Sequence, residues 1–515
     1  MTICENRAGR QAWIGLAVLA LPTLLVSIDV FVMLLALPRL SEALHATSTQ
    51  QLWALDIYGF MVAGLLVTMG TLGDRIGRRK LLLIGAAAFG VASVLTAFSN
   101  SATMVIAARA LLGIAGATLA PSTLALISNM FRNPAQRATA IGIWAGCFVV
   151  GAIIGPIVGG VMLEHFWWGS VFLIGLPAMT LLLVLGPVIL PEYRDPQAAR
   201  LDLPSVVLSL ATILPTVYGL KELARDGWQP LPIAAIAVGL ALGVAFVRRQ
   251  NKLQDPLLDV RLFDNRAFST TLGSMLLYTM LSGGTMVFVA QYFQLVEHLT
   301  PLQAGLAMVP GMLAAIFSFQ ISPLLARRIR PAYLFSGGLL VSVAGLLVIT
   351  QSGEPSGTPV VIAFALMSFG GGPLVALGTD LVVGSAPPAK AGSAAALAET
   401  GNEMGYALGI AALGSIGTAV YRAQMANSIP AGTPATAAAA ARDTLAGATA
   451  AAQSVSEQLS TALLATAGAA FVSELHVVAA VSAAVLSGVA VLCATALRHL
   501  SPLATAHKTS GGEDN

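Results

Sequence analysis

Six ionisable residues interrupt otherwise apolar stretches of this chain: Asp29, Asp56, Arg109, Asp380, Glu399 and Glu403. An ionisable group inside a membrane span costs on the order of a few kcal/mol, which makes each a functional candidate. Glu399 and Glu403 are four apart, so they stack on one helix face, with Asn402 and Tyr406 on or beside that stripe. Desolvation and a like charge nearby both disfavour the ionised form of a carboxyl group. Such a group can exchange a proton when its surroundings change, and in its ionised form it can hold a cation. One residue doing both makes proton and cation compete, and that competition is antiport. Glu403 and Asp380 have an alternative role, pairing with a neighbouring donor to hold two helices together. Arg109 could keep nearby carboxylates charged or bind backbone carbonyls. Glu164, Glu297 and Glu474 fall at span ends, where solvation is expected.

The elements that must position these groups follow from composition. Only 10% of the 515 residues are charged and 56% are hydrophobic, with 51 glycines. A soluble domain carries about 25% charged residues, so a single soluble globule and a disordered chain are both excluded. The reading is an all-α polytopic membrane protein, in which glycine lets helices approach closely. A spanning helix needs roughly 20 mainly apolar residues. Fourteen such spans are expected, at 12–38, 51–72, 80–99, 101–128, 138–163, 169–190, 203–221, 231–248, 267–294, 302–325, 332–352, 358–386, 392–420 and 472–497. Asp29 interrupts the first and no A-x-A site follows it, so it is read as a retained helix rather than a cleaved signal.

Basic residues set the orientation. Twenty-one of the 27 lysines and arginines fall on the side holding both termini and five on the other, with Arg109 inside a span. The positive-inside rule then places both termini in the cytoplasm. The organisation is six plus two plus six: a bundle over 1–198, two extra helices over 199–250, and a second bundle over 251–515. The long external loop 421–471 is alanine-rich, and short helices forming a hairpin or a plain tether both fit it. The three cysteines, Cys4, Cys147 and Cys493, exclude a disulfide framework and a multi-cysteine metal site. No phosphate-binding G-x-x-x-x-G-K-[ST] run occurs, which argues against direct use of ATP, and no H-E-x-x-H or G-x-S-x-G supports an enzyme.

Three motifs carry a family resemblance. After the second span stands Gly70-Thr-Leu-Gly-Asp74-Arg75-Ile-Gly77-Arg78-Arg79-Lys80. The fourth span holds Arg109-Ala-Leu-Leu-Gly113-Ile-Ala-Gly116-Ala117. The fifth holds Gly142, Gly151, Gly155-Pro156 and Gly159-Gly160, in the spacing G-x8-G-x3-G-P-x2-G-G. A stripe of small residues allows tight helix packing and a proline bends the helix. The first motif resembles the signature of the major facilitator superfamily, where it latches the cytoplasmic gate. The second resembles that superfamily's R-x-x-q-G-x-g-A, with Leu112 where glutamine is common. The third resembles the pattern that marks exporters. With fourteen spans, the chain is similar to the fourteen-helix drug:H+ antiporters.

The resemblance implies two six-helix bundles plus two extra central helices, with a cavity between the bundles that opens alternately to either side. Asp29, Asp56, Glu399, Glu403 and Arg109 are the expected proton-coupling and cation-binding residues. Phe31, Met33, Trp53, Tyr58, Phe148, Tyr292 and Tyr406 are the expected cavity liners, because aromatic faces suit quaternary ammonium ions. The expected activity is export of lipophilic mono- and dications in exchange for H+, with no other cofactor, no nucleic acid or ATP, and a functional monomer in the bilayer. The competing expectation is a fourteen-helix exporter of one metabolite, peptide, siderophore-like compound or lipid.

Overall fold

The computed structural model describes residues 8–131, 133–194, 202–253, 256, 260–351, 357–385 and 391–500. Cys4, the boundary drawn at residue 198, and Arg7, Arg132, Arg200, Lys390 and Lys508 of the orientation count lie outside them.

The described chain is helical, with no strand among the described residues. In order the helices are α1 (Arg10–Leu44), α2 (Ser48–Ile76), α3 (Arg78–Ala97), α4 (Ala102–Met130), α5 (Pro134–His165), α6 (Gly175–Ile189), α7 (Leu203–Asp226) and α8 (Pro230–Gln250). Then come α9 (Arg266–Gln291), α10 (Pro301–Ala326), α11 (Pro331–Gln351), α12 (Gly357–Gly384), α13 (Ala391–Ser428), α14 (Ala435–Asp443), α15 (Leu445–Ala452) and α16 (Glu457–Ala496). A 3-10 segment, Trp168–Ile174, leads into α6, and a π-helical turn, Tyr292–Val296, ends α9. Fourteen of these helices are long and apolar enough to cross a membrane, which matches the fourteen expected spans.

Lengths vary widely. The helices α3, α8 and α11 have 20, 21 and 21 residues, and α16 has 40. At about 1.5 Å per residue this is roughly 30 Å against 60 Å. The final span, expected at 472–497, is therefore only the C-terminal part of a much longer helix. The loop expected at 421–471 shortens as α13 runs on to Ser428 and α16 starts at Glu457. Between them α14 and α15 fold as two short helices, and Thr444 caps the second by accepting from the Gly447 N–H at 2.9 Å. Of the two readings of this loop, the short helices hold.

The chain divides into two compact units. The first comprises Met1–Ala46, Trp53–Ala211 and Thr300–Gly305, and the second Thr47–Leu52, Thr212–Leu299 and Leu306–Asn515. The division passes through α7, between Ala211 and Thr212. Within the first unit, α1 packs along α5 through the glycine stripe. A methyl group on Gly151 would lie 2.6 Å from the Leu24 carbonyl oxygen, and one on Gly155 3.1 Å from Phe31 Cβ. A methyl on Gly159 would lie 2.6 Å from the Val32 side chain. With no hydrophobic drive between helices in lipid, such close approach is what holds them. Gly160 meets the backbone at Leu302 in the first turn of α10, and the Pro156 carbonyl meets Gly305. Gly142 has open space around it and takes no part.

Candidate functional site

The chemistry of the first unit centres on Arg109 of α4. Its guanidinium donates to Asp29 Oδ2 of α1 at 2.7 Å, and its Nε to the Ala54 carbonyl of α2 at 3.1 Å. The same cation lies 5.0 Å from the centre of the Tyr58 ring and 5.8 Å from that of Phe172. Arg109 is 1% exposed. Three helices are thus tied by one planar cation, which suits arginine because its donors point along several directions at once. Both roles open to Arg109 in the sequence, carboxylate partner and carbonyl donor, are filled together. Gly113 and Gly116, one and two turns along, leave room for the Tyr58 backbone and phenol ring; a methyl group at Gly113 would sit 2.6 Å from the Tyr58 carbonyl oxygen.

Asp56 lies two residues along α2 from Ala54 and is 1% exposed. Trp53 and Phe31 are half-buried and Phe148 is exposed. The Phe148 backbone carbonyl accepts from the Ser27 hydroxyl at 2.6 Å, a further tie between α1 and α5. Of the other expected liners, Met33 is 1% exposed and Tyr292 is 2% exposed, both enclosed by their neighbours in this structure. Tyr292 gives its hydroxyl to Glu297 Oε1 at 2.8 Å, so Glu297 is not simply solvated. Tyr58 is also buried, and its ring lies against the Arg109 cation.

In the second unit, α13 carries Glu399, Glu403 and Tyr406. Glu399 is exposed, while Glu403 and Tyr406 are half-buried. The Tyr406 ring lies over Gly283 of α9, and its hydroxyl approaches Met286 Sδ at 3.5 Å. Asp380 is exposed at the end of α12. Glu474, expected to be solvated, is instead buried in α16, because the helix continues a further 17 residues before it. Lys221, placed at a span end by the hydropathy pattern, is likewise buried within α7.

The loop motif between α2 and α3 is a compact cluster. Asp74 Oδ1 accepts from Arg78 Nε at 2.7 Å, and Arg78 Nη1 donates to the Pro121 carbonyl of α4 at 3.3 Å. Gly77 has φ +113°, a conformation open to glycine, and a methyl group there would lie 2.7 Å from Glu192 Oε1. Glu192, which the motif does not include, accepts from the Arg79 and Lys80 N–H groups at 3.0 and 3.2 Å. Its carboxylate sits at the positive end of α3. The Arg78 N–H donates to the Tyr193 carbonyl at 2.8 Å, and the Arg79 side chain to the Pro187 and Leu190 carbonyls. Gly70 lies beside Pro121, and Arg75 is exposed.

The sequence profile of the Major Facilitator Superfamily matches residues 19–410. The chain belongs to the major facilitator superfamily. It is 42% identical to the multidrug efflux pump LfrA of Mycolicibacterium smegmatis, over 96% of this chain and 98% of that protein. It is 34% identical to the methyl viologen resistance protein SmvA of Salmonella typhimurium, over 82% and 85%. It is 32% identical to the puromycin resistance protein pur8 of Streptomyces alboniger, over 82% and 85%. Among solved structures, a bacterial homologue of the lysosomal transporter Spinster in an inward-facing, unoccupied conformation aligns with a TM-score of 0.65, covering 96% of this chain and 99% of that one. At 16% identity that likeness establishes the fold alone. This major facilitator chain is accordingly a multi-pass membrane transporter whose relatives are named for drug efflux and drug resistance.

Proposed function

We propose that this protein exports lipophilic mono- and dicationic compounds, quaternary ammonium biocides and dyes among them, in exchange for protons. The observation that carries the reading is the enclosed Asp29–Arg109 pair, with Asp56 on the neighbouring helix and a second acidic pair on α13. A carboxylate that can be paired with arginine, with a proton or with a substrate cation is the element an exchanger needs. Supporting it, one relative is named for resistance to methyl viologen, which is a dication. The protein acts as a monomer in the bacterial cytoplasmic membrane with both termini inside.

Facing the cytoplasm, the carboxylates give up protons and accept the cation. Facing out, protonation from the more acidic exterior releases it. Each pH unit supplies about 1.4 kcal/mol per proton, and each net inward charge about 2.3 kcal/mol per 100 mV. One proton for one monocation is electroneutral and draws on the pH gradient alone. A dication needs more than two protons before the voltage contributes.

The test is dye or methyl viologen movement in proteoliposomes with an imposed pH gradient. Export is expected to stop when gradient and voltage are collapsed, and Asp29→Asn and Glu399→Gln are expected to lower dication export at least tenfold at normal expression. Export that persists without either gradient, or both variants matching the unmodified protein, would remove the proton-exchange reading. The names of relatives tied to a single antibiotic, puromycin or tetracenomycin C, favour a second reading as an exporter of one compound. Protection against only one of several unrelated cations would decide for it.

A further inference from the structure

The buried acid of α16 is not used by the mechanism above. Glu474 is 7% exposed and lies within a segment that spans the membrane by length and composition. Its carboxylate sits against Gly417 of α13: a methyl group there would overlap Glu474 Oε1 and would come within 2.7 Å of the Phe288 ring of α9. The Phe288 ring in turn lies 6.3 Å from that of Phe471, one turn before Glu474. The acid is therefore enclosed by an aromatic pair and by a helix backbone that only glycine leaves room for.

Position follows from helix geometry. Counting back from Ala496, Glu474 is roughly 33 Å along α16 at about 1.5 Å per residue. Along α13, Gly417 is roughly 21 Å beyond Glu403 on the same measure. Glu474 thus stands at the opposite end of this unit's helices from Glu399, next to the α14–α15 hairpin. Tyr421, one turn beyond Gly417, interacts electrostatically with both Glu474 and Asp443, and its hydroxyl donates to the Ala441 carbonyl at 3.0 Å.

Among the described residues the titratable groups near this end are few. On α13 they are Tyr421 and Arg422, on the π-helical turn and just after it Tyr292 and Glu297, on α14 Arg442 and Asp443, and on α16 itself His476. Beyond Arg266, α9 carries no charged residue, and α11 and α15 carry none. Their tyrosines stand off: Tyr278 is roughly 15 Å along α9 from Phe288, and Tyr333 is in the first turn of α11. The Arg422 guanidinium is engaged by Asp443 Oδ1 at 2.7 Å, and Asp443 also accepts from the Ser48 N–H and hydroxyl. His476 is two residues on and so turns to another side of the helix. An ionised carboxyl in apolar surroundings is costly unless paired. A buried acid inside a membrane segment is a functional candidate by default, and proton exchange is the chemistry such surroundings suit.

We propose that Glu474 is a further proton-binding residue of the transport cycle, placed at the hairpin end of the second unit. It takes up one H+ when that end opens to water and gives up one H+ later in the cycle; no other bond changes. This rests on the proton-exchange reading above.

The test uses purified, reconstituted full-length protein and methyl viologen. Proton release on drug addition is measured with a pH dye near neutrality, for the unmodified protein, Glu474→Gln and Glu474→Asp. The Gln variant keeps the side-chain shape and is expected to release about one proton fewer per drug bound, with an altered pH profile. The Asp variant is expected to keep the proton count. Full proton release by Glu474→Gln, with an unaltered pH profile, would overturn this assignment and leave the exchange reading standing. No proton release from the unmodified protein would instead overturn the exchange reading itself.

A second measurement needs no variant. A hydrophobic carbodiimide, which adds to a protonated carboxyl in apolar surroundings, is applied to the unmodified protein between pH 5.5 and 8.5. Peptide mass analysis is expected to find Glu474 modified, less so as pH rises and when methyl viologen is present. Absence of label at every pH, or label indifferent to pH, would overturn the assignment even if Glu474→Gln did not fold.

Discussion

Asp29→Asn takes a carboxylate partner from the Arg109 guanidinium in the first unit's helix core. The two groups are 2.7 Å apart, with side-chain exposures of 2% and 11%. At that distance and an effective dielectric near 20, their attraction is about 6 kcal/mol before desolvation is subtracted. Removing one member of a buried pair typically costs about 3–5 kcal/mol, because the other charge stays enclosed. Here the Ala54 carbonyl and the rings of Tyr58 and Phe172 still hold the cation. The loss should therefore fall at the lower bound, about 3 kcal/mol. Arg109→Gln should cost a similar amount, and the double variant less than the two together, with a coupling of about 2 kcal/mol. Unfolding free energies from steric trapping in bicelles measure all three. If the single effects add to within about 0.5 kcal/mol, the pair is not what ties α1 to α4, and the reasoning fails.

Gly151→Ala would drive a methyl group to 2.6 Å from the Leu24 carbonyl and force α1 away from α5, whereas Gly142→Ala meets open space. Drug efflux from cells at matched protein level should drop more than tenfold for the first and stay unchanged for the second; equal effects would show that the spacing of the motif, rather than its contacts, matters. Glu192→Gln removes a negative charge from the first turn of α3 and should destabilise that end by about 1 kcal/mol, seen as faster amide exchange at Arg79 and Lys80. Unaltered exchange there would mean the carboxylate's two backbone bonds contribute through shape alone.

The fourteen spans were readable because a membrane imposes an apolar run of fixed minimum length, and few soluble constraints blur it. The same signal is blind to helix that continues past the minimum span. Hydropathy therefore stopped the last span at residue 472 and put Glu474 at its end, although α16 begins at Glu457. The spacing of Gly151, Gly155 and Gly159 showed that a helix must approach closely, and α1 proves to be that helix. The partner of Arg109 was not readable: Asp29 is 80 positions away, and several acids of similar depth competed for the role. The burial of Tyr292 and Met33 was not readable either, because residue type reports chemistry and not direction. Glu192 escaped because a lone acid after a span resembles any solvated loop residue, and only the backbone at Gly77 makes a place for it.

The helices α3, α8 and α11 are barely as long as a hydrocarbon layer is thick, while α16 is about twice that. Helices this short fix the depth at which acyl chains meet the protein. A bilayer thicker by a few ångströms would press against Arg78 to Lys80 at one such end and Arg248 and Arg249 at another, at a fraction of a kcal/mol for each ångström of mismatch. The long helix would slide past the same change unstrained. Lipid chain length thus acts on this transporter unevenly, helix by helix, and needs no ligand to do so.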